Sequence, residues 1–191
     1  MKKLVSVTLI SAAVMLSGCT TVVSSIVDEP IQPNIGSRTF GGYVSDQLIE
    51  EITSVNLNKT SETLKQSHIV ATTFNGTTLL TGQVPDQTTQ QAAQAVAAQV
   101  RGVKKVENAL TVAGATSFGV RANDAYLTAA INTALAKDLG FTLARRTKVT
   151  TEDGTVYLLG FLTENEIAQV TASAQSVGGV ERIVALFERI D

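Results

Sequence analysis

The chain is poor in the residues that do chemistry. Its 191 residues include one cysteine, one histidine and no tryptophan, and aromatic residues make up only 5%. A lone cysteine, Cys19, excludes an internal disulfide framework and a cysteine-based zinc site. His68 has no second imidazole with which to build a metal site or a catalytic pair, and it reads as a partly exposed residue at the mouth of a strand. There is no HExxH or CxxC, and no glycine-rich loop precedes a helix with a lysine for phosphate. Glu164 and Glu166 form a candidate carboxylate pair, but two positions apart on a helix they point apart, and a capping role suffices for them. The expectation is a protein that is not an enzyme and holds no metal and no cofactor. Fifteen basic against 17 acidic residues give no basic excess, which argues against nucleic acid as a partner.

What is present begins with an export signal. Lys2 and Lys3 precede an apolar run from Leu4 to Leu16. Thirteen residues are too few to span a bilayer as a helix, and small residues follow them. Leu16-Ser17-Gly18-Cys19 resembles the lipobox of bacterial lipoproteins, which implies cleavage after a signal peptide at 1–18 and acylation of Cys19. Thr20 rather than Asp after the acceptor implies, by the sorting rule of Gram-negative bacteria, the outer membrane. The covalent lipid is the only non-protein group expected. Without Lys2 and Lys3 the mature chain carries 13 basic and 17 acidic residues, net −4, so any attraction to anionic lipid has to be local. Residues 19–43 read as the lipidated cysteine and a flexible tether, with Pro30, Pro33, Gly36, Gly41 and Gly42 and few periodic apolar positions.

The rest of the chain is one pattern written twice. Phe74-Asn75-Gly76-Thr77-Thr78-Leu79-Leu80-Thr81-Gly82 recurs as Glu152-Asp153-Gly154-Thr155-Val156-Tyr157-Leu158-Leu159-Gly160, an offset of 78 positions. Asn75-Gly76 and Asp153-Gly154 supply the two positive-φ residues of a type I′ hairpin turn. Before the first hairpin, Ser45 or Asp46 is the expected cap of a helix with Leu48, Ile49, Ile52 and Val55 on one apolar face, and Asn58 to Gln66 is expected as loop or frayed helix. Behind it, Gln87 to Val100 reads as a helix with Ala92, Ala95, Val96 and Val100 toward the sheet; Val103, Val106, Leu110 and Val112 give a third strand. In the second copy Asp124 is the expected cap of a helix carrying Leu127, Ile131 and Leu135. Thr163 and Glu166 form a capping box, and Val180, Ile183, Ala185 and Phe187 lead the last strand.

The helix, the hairpin closing on Leu-x-Gly, the Ala-rich helix, and Gly102-Val103-Lys104-Lys105-Val106 or Gly179-Val180-Glu181-Arg182-Ile183 resemble the BON domain of bacterial osmotically inducible and nodulation proteins. The resemblance covers Val44 to Asp191. It implies an α+β fold with two tandem domains at 44–112 and 120–191, joined by a linker at 113–119. Each is α-β-β-α-β with two helices on a small three-stranded mixed sheet. It further implies an outer-membrane lipoprotein facing the periplasm, binding anionic phospholipid such as phosphatidylglycerol or cardiolipin through the second domain. That role would support envelope integrity, with enrichment at division sites. The alternative is an adaptor for outer-membrane protein assembly or division machinery, with incidental lipid contact, or an osmotic-stress filler of the periplasm.

The residues themselves favour one surface. With Leu127, Ile131 and Leu135 inward, Tyr126, Ala130, Thr133 and Lys137 form a stripe that the core does not require. Leu139 and Phe141 lie beyond it, followed by Arg145, Arg146 and Lys148. Four basic residues and one acid between Lys137 and Lys148 make a local charge of +3. An amphipathic aromatic beside cations suits an anionic headgroup region. The first copy carries Asp46, Glu50 and Glu51 on the equivalent helix, which would be repelled there, and so suits its sister domain or a protein partner better.

Overall fold

The computed structural model describes residues 39–190, so Cys19, the signal and most of the expected tether lie outside the described residues. In the first copy α1 (Phe40–Thr60) and the short α2 (Glu62–Gln66) precede the hairpin β1 (His68–Phe74) and β2 (Thr77–Val84). Helix α3 (Gln87–Ala98), β3 (Lys105–Asn108) and β4 (Thr111–Val112) complete it. The second copy repeats the order as α4 (Phe118–Arg146), β5 (Thr147–Glu152), β6 (Thr155–Leu162), α5 (Glu164–Gln175) and β7 (Arg182–Arg189). In each sheet an antiparallel hairpin is joined by the last strand running parallel to its second arm, across a helical crossover. The α+β class and the tandem arrangement stand as expected.

Both turns have the expected geometry, with φ of 51° and 80° at Asn75-Gly76 and 48° and 69° at Asp153-Gly154. What holds them is a buried carboxylate in each copy. Asp46 accepts from the amides of Asn75 and Gly76 at 2.8 and 3.0 Å. Asp124 accepts from those of Asp153 and Gly154 at 2.9 and 3.0 Å. This corrects the expected caps. Helix α1 starts six residues before Asp46, capped by Thr39, whose Oγ1 accepts from the Gly42 amide at 3.0 Å. Helix α4 is likewise capped by Ser117, through the Val120 amide at 3.3 Å. The aspartates lie inside their helices, turned to the hairpins.

The face of α1 is a second correction. Asp46, Ile49, Thr53 and Leu57 are buried, while Leu48, Ile52 and Val55 are exposed. Clamping the turn fixes the rotation of the helix, and the clamp is polar, so the more apolar stripe points outward. Of the two forms expected for Asn58 to Gln66, loop or frayed helix, the structure shows helix, interrupted at Ser61, whose hydroxyl caps α2 while Leu64 anchors it in the core. On α3 it is Ala93 and Ala97 that are fully buried, with Ala92 and Val96 at their flanks and Ala95 exposed; Val100 is buried as expected, but two residues past the end of the helix. The third strand of the first copy breaks into β3 and β4 around Ala109-Leu110, where the Leu110 amide donates to Asn108 Oδ1.

Side chains alternate across each sheet, and both faces are covered. Leu80 and Val84 meet Leu57, Leu64, Ala93 and Ala97 under the helices of the first copy. Val156, Leu158 and Leu162 meet Ile131, Leu135 and Val170 under those of the second. The opposite faces join in a third core of Phe74 and Leu79 with Tyr157 and Leu159, flanked by Phe161, Val184 and Leu186. Phe74 and Phe161 meet edge to face with ring centroids 5.2 Å apart. The rim is polar: Gln83 Nε2 donates to Glu152 Oε1 at 2.8 Å, and His68 Nε2 lies 3.4 Å from Glu152 Oε2. Asn75 Nδ2 donates to Glu188 Oε2 at 3.1 Å. Burial of the Tyr157 ring in this joint core raises its phenol pKa, an effect that nearby Arg182 opposes and Glu152 reinforces.

Candidate functional site

Helix α4 is broken at Gly140 (φ 81°, ψ 160°), where the helical path stops and a last short turn begins. Ahead of the break Leu127, Ile131 and Leu135 are buried, which turns Tyr126, Thr133 and Lys137 to the surface. Tyr126 is 67% exposed, and Ala130 lies half-buried at the stripe's edge. Past the break Phe141 is 76% exposed, and Arg145 is exposed one turn beyond it. Leu139 turns inward and packs on the second core, completing the hydrophobic cluster instead of joining the surface.

The expected basic cluster divides in the same way. Arg146 is bidentate to Glu166, at 2.6 and 2.9 Å, and donates also to the Phe161 carbonyl at 2.7 Å. Glu166 is at the same time the far end of the capping box, taking the Thr163 amide at 2.8 Å. Burial pushes its carboxyl up, but the Arg146 and Thr163 hydrogen bonds outweigh that and hold it below its ordinary value. Lys148, on the face of β5 that looks toward the first copy, donates to the Glu50 carboxylate and to the Thr73 carbonyl at 3.2 Å. Both cations are thus structural, and Lys137 and Arg145 remain for the surface.

The acids of α1 are redistributed too. Asp46 holds the turn and Glu50 holds Lys148 and the Thr73 amide, so only Glu51 faces solvent. The repulsion expected from three acids on that helix is reduced to one.

A cleft of about 750 Å³ opens between the first turns of α1 and the end of α4. Phe40, Tyr43 and Gln47 line it from the first copy; Asn132, Thr142 and Arg145 line it from the second, with Arg146 and Lys148 also contributing. Among the described residues, no carboxylate lines it. Phe40, 83% exposed, stands at its edge. Tyr126 is absent from the cleft and marks a separate side of α4. The α1 half was missed because the helix was expected to begin later. A signal was available: at the same offset as the hairpins, Thr39-Phe40-Gly41 pairs with Ser117-Phe118-Gly119. Extending the repeat that far places both true helix starts.

Known proteins resemble this chain along nearly its whole length. The BON domain model matches residues 45–114 and again 123–189. An outer membrane lipoprotein, DolP, of Haemophilus influenzae is 30% identical over 183 residues, 96% of this chain and 94% of that protein. A 21 kDa hemolysin of Actinobacillus pleuropneumoniae is 28% identical over 161 residues, 84% of this chain and 80% of its own. Among solved structures, the C-terminal domain of CdsD, a structural protein of the Type III secretion system of Chlamydia trachomatis, covers 76% of this chain and 67% of its own. At a TM-score of 0.30 and 11% identity that likeness carries no argument.

Proposed function

This chain belongs to the BON-domain family as a lipoprotein of the cell envelope with two such domains, and from that premise we propose that it binds anionic phospholipid at the outer membrane. It is anchored there through Cys19 on the periplasmic face and supports the integrity of the membrane without catalysing a reaction. The observation that carries the reading is the exposed surface of α4, where Tyr126 and Lys137 stand free ahead of the break at Gly140 and Phe141 and Arg145 beyond it. Two aromatics at such exposure have no role in the core, and cations on the same helix match the headgroup level of an anionic bilayer. Each such cation contributes about 1 kcal/mol near the surface. The relationship to an outer membrane lipoprotein over the full length supports the location.

The test is flotation of the mature chain carrying Cys19→Ser, so that no acyl group anchors it, with phosphatidylglycerol-containing and with phosphatidylcholine vesicles. The chain is expected to float with the anionic vesicles only. Tyr126→Ala is expected to weaken flotation several-fold. Equal flotation with both vesicles, or none with either, contradicts the reading.

The adaptor reading has one observation in its favour. Val44, Leu48, Ile52 and Val55 form an exposed apolar stripe on α1 that no described element covers. Crosslinking in intact envelopes from engineered positions along that stripe tests it. A single defined adduct that disappears with Leu48→Asp supports it, and adducts indifferent to that change oppose it.

A further inference from the structure

We infer that the cleft between α1 and the end of α4 is a seat for a singly charged phosphodiester, the headgroup linkage of an anionic glycerophospholipid, and that the first domain therefore takes part in lipid recognition. This rests on the lipid reading above and adds a second, deeper element to it.

The cleft fits such a group in both charge and shape. Three cations, Arg145, Arg146 and Lys148, line the cleft. Two are matched: Arg146 by Glu166 and Lys148 by Glu50. Arg145 is exposed and makes no ion pair among the described residues, which leaves one positive charge for a ligand. A phosphodiester brings one negative charge, whereas a monoester dianion would bring two. A guanidinium meets two phosphate oxygens at once, so Arg145 can take both non-bridging oxygens of a diester. The uncharged side chains of Gln47, Asn132 and Thr142 stand around the same space and suit the hydroxyls of a glycerol headgroup.

The cleft is also amphipathic in the required sense. At about 750 Å³ it falls within the range of small-molecule sites and exceeds what a headgroup alone fills. Phe40 extends the wall at one edge with a ring that is mostly in solvent. Such a ring suits the glycerol backbone and first methylenes of a lipid whose phosphate lies on Arg145. Because the lining comes from both copies, the seat exists only while the Glu50–Lys148 pair and the joint core hold the domains together.

The experiment titrates the same acyl-free mature chain with glycerophosphoglycerol and with inorganic phosphate, reading backbone amide shifts, and repeats vesicle flotation with Phe40→Ala and Arg145→Gln. Both side chains are exposed, so the fold is expected to survive each change. The expected result is saturable shifts at Phe40, Gln47, Thr142 and Arg145 with the diester, and at least a five-fold loss of phosphatidylglycerol vesicle affinity in either variant. If wild type floats, Tyr126→Ala abolishes it and Phe40→Ala leaves it unchanged, the cleft is overturned while the lipid reading stands. If wild type does not float yet both probes shift the cleft amides alike, the site takes free phosphate and the lipid source is overturned. No flotation and no shifts overturn both.

Discussion

The ammonium of Lys148 in the second domain is held by the Glu50 carboxylate of the first. Each side chain is only about one-fifth exposed, and the same carboxylate oxygen takes the amide of Thr73 at 2.5 Å. The pair ties α1 to the opening strand of the second copy, beside the apolar core that the two sheets share. A tandem of small domains is thereby fixed as one unit, and surfaces drawn from both copies keep a constant relation.

Removing one partner leaves the other half-buried and unmatched. Lys148→Met is expected to destabilise the chain by about 1–3 kcal/mol. The double variant Glu50→Gln with Lys148→Met is expected to recover part of that loss. Urea unfolding of the wild type, both single variants and the double variant gives the coupling; additive losses would show that the pair does not join the domains.

The turn clamps make a sharper demand. Asp124→Ala removes two hydrogen bonds to a carboxylate, at 2.9 and 3.0 Å, and leaves the Asp153 and Gly154 amides without that acceptor. The expected cost is about 3 kcal/mol. Asp124→Asn keeps a single carbonyl acceptor and is expected to lose roughly half as much. Asp46→Ala is expected to act alike in the first domain, by thermal unfolding. A loss no larger than that of an ordinary helix cap would reduce these aspartates to the role first expected of them.

Two glycines separate close packing from open loop. A Cβ on Gly82, at φ +117°, would lie 1.9 Å from the His68 carbonyl oxygen, whereas one on Gly114 would meet nothing within 4 Å. Gly82→Ala is expected to cost more than about 3 kcal/mol or to prevent folding, and Gly114→Ala to stay within about 0.5 kcal/mol. Soluble yield and urea midpoints read both. Equal tolerance at the two positions would contradict the described approach of β1 to β2.

Acid should weaken the second domain through Glu166. Its carboxyl titrates lower in the folded chain than in the unfolded one, so its stabilisation is complete above the ordinary carboxylate range. It is lost as pH falls through the folded value. The stability gap between wild type and Glu166→Gln is therefore expected to be widest near neutrality and to close below about pH 4. A gap independent of pH would mean that the Arg146 pair contributes nothing through charge.

Features with a local signature were legible in the sequence. The I′ turns announce themselves through Asn75-Gly76 and Asp153-Gly154, the capping box through Thr163 and Glu166, and the core side of α4 through Leu127, Ile131 and Leu135. Helix α1 misleads because its buried face includes Asp46 and Thr53, and hydropathy ranks Leu48, Ile52 and Val55 above them. The rotation follows from a hydrogen bond to a turn about thirty residues away, which leaves no trace in a helical period. The joint core and its rim were invisible for the same reason. Gln83 and Glu152 pair across 69 positions, and strands buried on both faces give no signal of what covers the second face. The surface of α4 was half legible: Tyr126 and Phe141 are exposed, while Arg146 and Lys148 turned to partners that only the folded chain supplies.

The central claim, that the exposed surface of α4 meets anionic lipid, is tested most directly by amide relaxation of the acyl-free mature chain. The measurement uses bicelles doped with a paramagnetic lipid, with phosphatidylglycerol present or replaced by phosphatidylcholine. The account predicts enhanced relaxation centred on Tyr126 to Lys137 and on Phe141 to Arg145, present with phosphatidylglycerol and lost without it. Enhancement centred on α3 or α5, or equal in both bicelles, would contradict it.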